Sequence, residues 1–489
     1  MTALDLLSLL PLVVLSAGSV VMLLAAAFWR KQGVSAVLAV AVFTLGLAAL
    51  PVAARLGPWP VKLKPLLVLD SYSFFYMGLL FAAGLVVAAL SEGYLSRKEG
   101  NHEEFHVLLV LATLGGAFLC AASHFVSLFL GLELMSVSLY ALIGYLRFNE
   151  RSLEAALKYL ILASTSAAFL LFGLALIYAH SGTMDLEALG GALREGSLPG
   201  ATRDLFLAGG MCLVLVGVGF KLAVVPFHLW TPDVYQGAPA PVTAFVATAS
   251  KGAMLALFLR YFLPAGPEAQ GILGPVITLI AAASMIAGNL LALLQTNVKR
   301  ILAYSSIAHL GYILVAFQAG GAEAVRTVNF YIAAYFVTTL AAFGVLTILS
   351  GPERDAELLE DYRGLLWRKP SLGIVMAAAL LSLSGIPLTA GFLGKFLVVR
   401  SGVGSSLWVL LFILAASSAI GIYYYLRILV QLFLPPAAER VEKDRVPALT
   451  VSWRDRLVLA ALLLALVWIG AWPGPFLDLV RTTAQSVGQ

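Results

Sequence analysis

Apolar stretches of about 20 residues recur along the chain, parted by short polar links. A helix needs about that length to cross a hydrocarbon core about 30 Å thick, so each stretch predicts one spanning helix. About fourteen are predicted, near residues 4–28, 35–55, 71–95, 105–122, 124–146, 153–179, 205–228, 240–262, 271–294, 299–318, 325–349, 371–399, 405–433 and 455–480. Only the links near 181–203, 350–370 and 434–454 are longer, and none could hold a domain. The first span is too long for a signal peptide and lacks a basic start and an A-x-A site, so it is expected to stay in the protein.

Composition narrows the class. Only 12% of the 489 residues are charged and 61% are hydrophobic. A soluble domain carries about 25% charged residues, so a cytosolic enzyme, a disordered chain and a nucleic-acid binder are excluded. The net charge of +5 comes from 31 basic and 26 acidic residues, and their placement says more than their sum. Seventeen basic residues, Arg30, Lys31, Arg97, Lys98, Arg151 and Lys299 among them, fall in links after odd-numbered spans. Nine, including Arg55, Lys62, Arg260 and Arg481, fall after even-numbered spans or in the tail. Basic residues stay on the cytoplasmic side, so odd links are expected inside and both termini outside.

Five basic residues remain within spans: Lys158, Lys221, Lys251, Lys395 and Arg427. Glu133 is the acid that lies well inside one. A charge at the bilayer centre is costly and points to function by default. Glu133 is roughly 14 Å and Lys251 about 16 Å into its helix, too deep for either side chain to bend back to water. Lys221 precedes Pro226, and Lys395 follows Pro387, which glycines flank. Proline removes a backbone donor and clashes with the preceding turn, so spans seven and twelve are expected to break there. Such breaks free helix ends and admit water beside a lysine, which suits ion or proton handling. Lys158, only about five residues into its helix, reads equally as an interfacial anchor or an auxiliary relay. Arg427 cannot cycle a proton and is expected to be structural. Burial favours neutral lysine and a nearby carboxylate favours the charged form. Approach of Glu133 to Lys221 would therefore act as a switch on the lysine proton.

The broken spans are five apart. Because five is odd, a tandem five-helix unit must be inverted in the membrane, a transporter pattern. The expected architecture is all-α and polytopic, one membrane domain over 1–489. Within it, N-terminal helices occupy 1–100, a first repeat (spans 4–8) 101–263, a second repeat (spans 9–13) 264–433, and a loop with the last helix 434–489. Lys251 has no counterpart in the second unit, where Ala419-Ile-Gly421 matches Ser250-Lys-Gly252.

Three segments carry a family resemblance. The first runs from Gly219 to Lys251 and includes Lys221-Leu-Ala-Val-Val-Pro226-Phe-His228-Leu-Trp230-Thr-Pro-Asp233. The others are Asn297-Val-Lys-Arg-Ile-Leu-Ala-Tyr-Ser-Ser-Ile-Ala-His309-Leu-Gly-Tyr312 and Gly385-Ile-Pro387 with Gly391-Phe-Leu-Gly-Lys395. The chain resembles the subunit N family of bacterial NADH–quinone oxidoreductase (respiratory complex I), counterparts of mitochondrial NADH dehydrogenase subunit 2. The resemblance implies an antiporter-like subunit of fourteen helices in the bacterial inner membrane, packed among other membrane subunits, some also antiporter-like. It implies proton transfer through Glu133, Lys221, Lys251 and finally Lys395, with His228 and His309 as possible intermediates. It implies that NADH, FMN, iron–sulfur clusters and quinone belong to partner subunits and that this chain binds no cofactor. The alternative is a membrane subunit of a multi-subunit cation/proton antiporter.

Other signals are weaker. His102-Glu-Glu-Phe-His106 fits a zinc-protease pattern with Glu103 as base, but no third ligand follows, so it reads as a polar helix start and no metal is expected. Gly217-x-Gly219 lacks the third glycine and the βαβ setting of a dinucleotide site. Tyr423-Tyr-Tyr425 reads as packing. Cys120 and Cys212 lie in apolar runs and are expected to be small core residues.

Overall fold

The computed structural model describes residues 7–28, 32–56, 60–63, 65–100, 102–189, 205–263, 273–435 and 451–486. Seven helices lead the chain: α1 (Leu10–Phe28), α2 (Gln32–Leu56), α3 (Ser71–Leu95), α4 (Glu103–Ala121), α5 (Phe125–Ile143), α6 (Glu150–Ser181) and α7 (Leu205–Leu222). A short α8 (Trp230–Gly237) precedes α9 (Ala240–Phe262). There follow α10 (Leu273–Leu293), α11 (Val298–Ala319), α12 (Gly321–Leu349), then beyond two single turns α13 (Pro370–Ser384), α14 (Ala390–Gly404), α15 (Trp408–Phe433), α16 (Trp453–Ala471) and α17 (Gly474–Gln485). Between α2 and α3, β1 (Val61–Leu63) and β2 (Leu67–Leu69) form a small antiparallel hairpin.

Among the described residues, twelve helices are long and apolar enough to cross a membrane, or thirteen if α16 and α17, bent by 84°, form one span. The chain is an all-α, multi-pass membrane protein. The expected span 371–399 is absent as a continuous helix. It is two helices of 15 residues, α13 and α14, parted at Gly385–Thr389. The expected span 205–228 likewise stops at Leu222.

Local chemistry explains both stops. The ring of Pro226 would clash with the carbonyl four residues earlier, on Leu222, and the helix ends at that residue. Gly385 takes the left-handed conformation (φ +83°) that ends α13, a backbone shape glycine adopts without strain. Thr389 then caps α14 by accepting from Phe392 N at 3.3 Å.

Small residues set the packing. A methyl group on Gly131 of α5 would come 2.8 Å from the Leu119 nitrogen of α4, and one on Gly115 would come 2.8 Å from the Gly131 oxygen. The same close fit joins α10 and α11, where a methyl group on Gly288 would come 2.7 Å from the Ala308 nitrogen and one on Gly311 2.9 Å from the Met285 nitrogen. Such contacts let backbones approach where hydrophobic burial gives helices no reason to associate. The bundle centre is α9 and α11, both buried along their length, with α12 nearly so. Outward side chains on the rim are apolar, as at Leu24, Phe172, Phe412 and Leu464.

The links sort by parity. On one face Ser123 N donates to Leu66 O, Phe125 N to Met184 O and Leu186 N to Ser123 O, joining links after spans two, four and six. On the other, Lys299 Nζ donates to Gln236 O and Ala238 O and pairs with Asp355 at 2.9 Å. Asp355 also accepts from Tyr94 OH at 2.8 Å.

Three expectations change. Lys299, placed in a link to set orientation, is fully buried around Asp355. Arg260 is also buried, paired with Asp70 at 2.6 Å over the Tyr72 ring. Helix ends here lie inside the bundle, so a charge near a link can be enclosed by neighbouring helices. Cys212 is exposed on the outer side of α7, while Cys120 is buried, because an apolar run in a membrane helix has a lipid-facing side as well as a core side. Arg30, Lys31, Lys64, Arg194, Arg203, Arg440, Lys443 and Arg445, used in the orientation count, lie outside the described residues.

Candidate functional site

The three deep lysines are all buried, and each meets neutral oxygen rather than a carboxylate. Lys221 is the penultimate residue of α7. Its Nζ donates to Ser136 Oγ at 2.7 Å and to Tyr159 OH at 3.2 Å, and lies 5.3 Å from the Tyr159 ring centre. Ser136 sits on α5 one turn beyond Glu133. Lys221 is thus held by hydroxyls, with no ion pair to Glu133 among the described residues. Glu133 is half-buried. Past α7 the freed backbone is satisfied by side chains: Val225 N donates to Ser284 Oγ at 2.9 Å, and Trp230 Nε1 donates to Phe220 O at 3.0 Å. This is the condition for irregular backbone at membrane depth.

Lys251 follows a π-helical turn, Val246–Ser250, and is wholly enclosed. Its Nζ donates to Ser306 Oγ and lies 5.6 Å from the Tyr235 ring centre. Lys395, on the second turn of α14, donates to Ser418 Oγ at 2.8 Å and to Ser384 O at 2.9 Å. Ser384 ends α13, so the helix break itself supplies the acceptor. The ring of Tyr312 lies 5.3 Å from the same ammonium. Ser306 and Tyr312 both belong to α11, six residues or about 9 Å apart. One helix thus carries partners of two lysines.

His309 stands between them on α11. Its Nδ1 meets Tyr331 OH at 2.8 Å and its Nε2 meets Tyr425 OH at 3.2 Å, and Tyr425 OH also bonds Ser305 Oγ. Tyr425 therefore belongs to the polar line, contrary to the packing role expected for Tyr423–Tyr425. Tyr424 bonds Asn289 at 3.0 Å and only Tyr423 faces outward. The run straddles a helix, so its members face different surroundings.

The auxiliary residues divide. His228 is buried in the α7–α8 break, and its Nδ1 has no partner among the described residues. Lys158 is half-exposed and ion-paired to Glu154 at 2.7 Å and Asp233 at 2.8 Å. Asp233 also binds Arg300 at 2.8 Å. Arg427 donates to Leu293 O at 2.9 Å, closing the end of α10. His106 of the zinc-like pattern meets Ser35 Oγ and Ser91 Oγ at 2.9 and 3.0 Å. No cluster of metal-binding side chains occurs among the described residues. Sequence reasoning missed every hydroxyl partner: Ser136, Tyr159, Ser306, Tyr331, Ser418 and Tyr425. Their only signal is position, one turn from a charge or on the facing helix.

Buried lysines set against hydroxyls across a multi-helix bundle are the chemistry expected of a membrane ion-transfer protein. Residues 122–421 match the family model described as NADH:quinone oxidoreductase/Mrp antiporter, TM. The chain is similar to the NADH-quinone oxidoreductase subunit N of Ectopseudomonas mendocina (strain ymp), with 45% identity over 99% of this chain and 97% of that protein. It is similar to a chain of respiratory complex I from Thermus thermophilus, solved with bound aureothin, with TM-score 0.81 and 33% identity over 96% of this chain and 98% of that one. A chain of the Mrp complex from Dietzia sp. DQ12-45-1b shares the fold, with TM-score 0.82 at 20% identity over 100% of this chain and 98% of that one. The chain belongs to the NADH:quinone oxidoreductase/Mrp antiporter membrane family.

Proposed function

We infer that this chain moves protons through Glu133, Lys221, Lys251 and Lys395 as a membrane subunit of an NADH:quinone oxidoreductase of the complex I type. The observation that carries the relay is the shared contact of Lys251 and Lys395 with α11, through Ser306 and Tyr312. Each lysine is held by neutral groups, so none is locked by a permanent counter-charge and each is free to lose and regain a proton. Glu133, one turn from the Ser136 that holds Lys221, is placed to replace that hydroxyl when α5 or the α7 end shifts. Charge on Lys221 would then rise and fall with the approach of the carboxylate. From Lys251 the proton passes along α11 to Lys395 and leaves on the even-link face. Lys158 and Asp233 serve as half-exposed ion pairs near the inlet, and His309 is an intermediate.

The chain is one part of a translocase and sits with other membrane subunits. NADH, FMN, iron–sulfur clusters and quinone are bound by partner subunits and not by this chain. The membrane is the bacterial inner membrane, with both termini outside. The two five-helix units gain support from the matching glycine contacts of α4–α5 and α10–α11 and from the two broken spans. A cation/proton antiporter subunit is the second reading, supported by the family model, which covers both classes, and by the fold shared with the Mrp chain.

The test is NADH-driven proton pumping in membranes carrying Lys251→Met. Pumping is expected to fall to a small residue while the complex still assembles. Full pumping with normal assembly removes the relay. Purification without flavin-bearing partners would favour the antiporter reading.

A further inference from the structure

The end of α16 presses on the backbone between α13 and α14. Gly470, on the last turn of α16, makes the contact. A methyl group there would come 2.6 Å from Leu388 O, 2.7 Å from Thr389 C and 2.8 Å from Ala390 N. All three are backbone atoms of consecutive residues, so no flexible side chain can swing aside. Ordinary contact begins at 3.4 Å, and the chain would have to back off by about 0.8 Å to reach it. Gly404, at the far end of α14, has nothing within 4 Å of the same added methyl.

What the contact holds is a strained turn. Leu388 has φ +70°, a left-handed shape that is costly for a residue with a Cβ. Its side chain is 82% exposed, so side-chain packing does not impose that shape. Such a conformation persists only where the surroundings fix it, and the α16 backbone lies against the Leu388 carbonyl. The backing is itself fastened. Ala390, the first residue of α14, is buried in a small apolar cluster with Ile469 of α16, Phe476 and Val480 of α17, and Phe330 of α12. The Phe330 and Phe476 rings are 5.6 Å apart, and Asn329 Nδ2 donates to Thr483 Oγ1 at 3.3 Å. The α16–α17 elbow is thus tied to α12 and offers the start of α14 a fixed seat.

We propose that Gly470 is a positioning residue, whose bare backbone seats the start of α14 so that Lys395 on its second turn stays on Ser384 O at the end of α13. The proposal rests on the lysine relay described above, because Gly470 acts only through Lys395. The bond from Lys395 Nζ to Ser384 O joins the two halves of the broken span and is 2.9 Å long. Stretched by the shift that a methyl at Gly470 demands, it is no longer a hydrogen bond. Gly470 itself carries no proton. Its part is to let two backbones meet where any side chain would part them.

The experiment measures NADH-driven proton pumping per bound flavin in membranes holding the whole complex, which separates poor turnover from poor assembly. Gly470→Ala is expected to lower it about tenfold, since misplacing a reacting group by about 1 Å can cost a factor of about 100. Gly404→Ala, on the same helix in open space, is expected to pump normally. Adding Leu388→Gly to Gly470→Ala lets the crowded carbonyl turn away from the new methyl, and about half of the lost pumping should return. A role in packing alone predicts less complex, normal turnover per flavin and no such rescue. Full turnover by assembled Gly470→Ala overturns the proposal, as does an equal loss in Gly404→Ala or a loss that Leu388→Gly leaves unrelieved. If Gly470→Ala does not assemble, Phe476→Ala loosens the same seat from α17. A severalfold fall in turnover per flavin is then expected, and unchanged turnover overturns the proposal. Lys395→Met, measured alongside, separates the two ideas. If it blocks pumping while Gly470→Ala does not, the relay stands and the positioning role falls. If Lys395→Met pumps fully, the last step of the relay fails and takes the positioning role with it.

Discussion

The buried charges differ in how they are balanced, and the proposed relay takes the lysines without a counter-charge as its proton carriers. Lys221, Lys251 and Lys395 rest on hydroxyls and a carbonyl. Lys299, equally buried, is matched by Asp355. Three lie in apolar spans and Lys299 in a polar link, and the sequence shows which residues are charged but not which charges are neutralised. Partners such as Ser306 and Asp355 come from distant segments. Burial alone would raise the pKa of the Asp355 carboxyl, but Lys299, Tyr94 and Lys98 outweigh it and hold it below its ordinary 3.8. A carboxyl lowered in the folded state gives its full stability above the unfolded value and loses it as pH falls through the folded one. Between pH 5 and 8 the contribution is therefore constant. Asp355→Asn strands the Lys299 ammonium in the interior, at an expected cost of about 3–5 kcal/mol. Thermal unfolding of the solubilised complex should show that deficit at pH 7, with the same size at pH 5.5. A deficit that vanishes on acidification over this range would mean that Asp355 is not the ionised partner.

At the scale of elements, the interruptions were legible where a residue forbids helix and illegible where packing decides. Pro226 and the Gly385–Pro387 pair marked the breaks, and α7 ends four residues before its proline, where the steric clash falls. The π-turn Val246–Ser250 ahead of Lys251 carries neither proline nor glycine. It occupies a helix enclosed on all sides, so neighbours rather than local preference hold it. The α13 end does two jobs, and one substitution tests both. Gly385 has φ +83°, and a methyl group there would come 2.9 Å from Lys395 Cδ. Gly385→Ala carries a backbone penalty of about 1 kcal/mol for the left-handed turn and displaces the Lys395 side chain from Ser384 O. Pumping should fall more than thermal stability does. Equal, small losses in both would show that the break tolerates a side chain and that Lys395 is not held there.

For the whole molecule, hydropathy found the membrane helices but left their polarity to a count of basic residues. The structure supplies part of what that count assumed. Links after even-numbered spans meet one another through Leu66, Ser123 and Met184, and links after odd-numbered spans meet through Tyr94, Gln236, Lys299 and Asp355. The spans therefore alternate in direction, and one labelled position on each face fixes the orientation of all the rest. Basic residues favour the odd face even though Lys299 and Arg260 are buried, since each side loses one of them. The odd face should be cytoplasmic. Glu99 on that face and Ala188 on the other are both exposed. In a Cys212→Ser background, Ala188→Cys should react with a membrane-impermeant maleimide on intact spheroplasts. Glu99→Cys should react only after the membrane is opened. The opposite pattern would turn the protein over, and the proposed outlet beyond Lys395 would then deliver protons to the cytoplasm, which a proton-exporting pump cannot do.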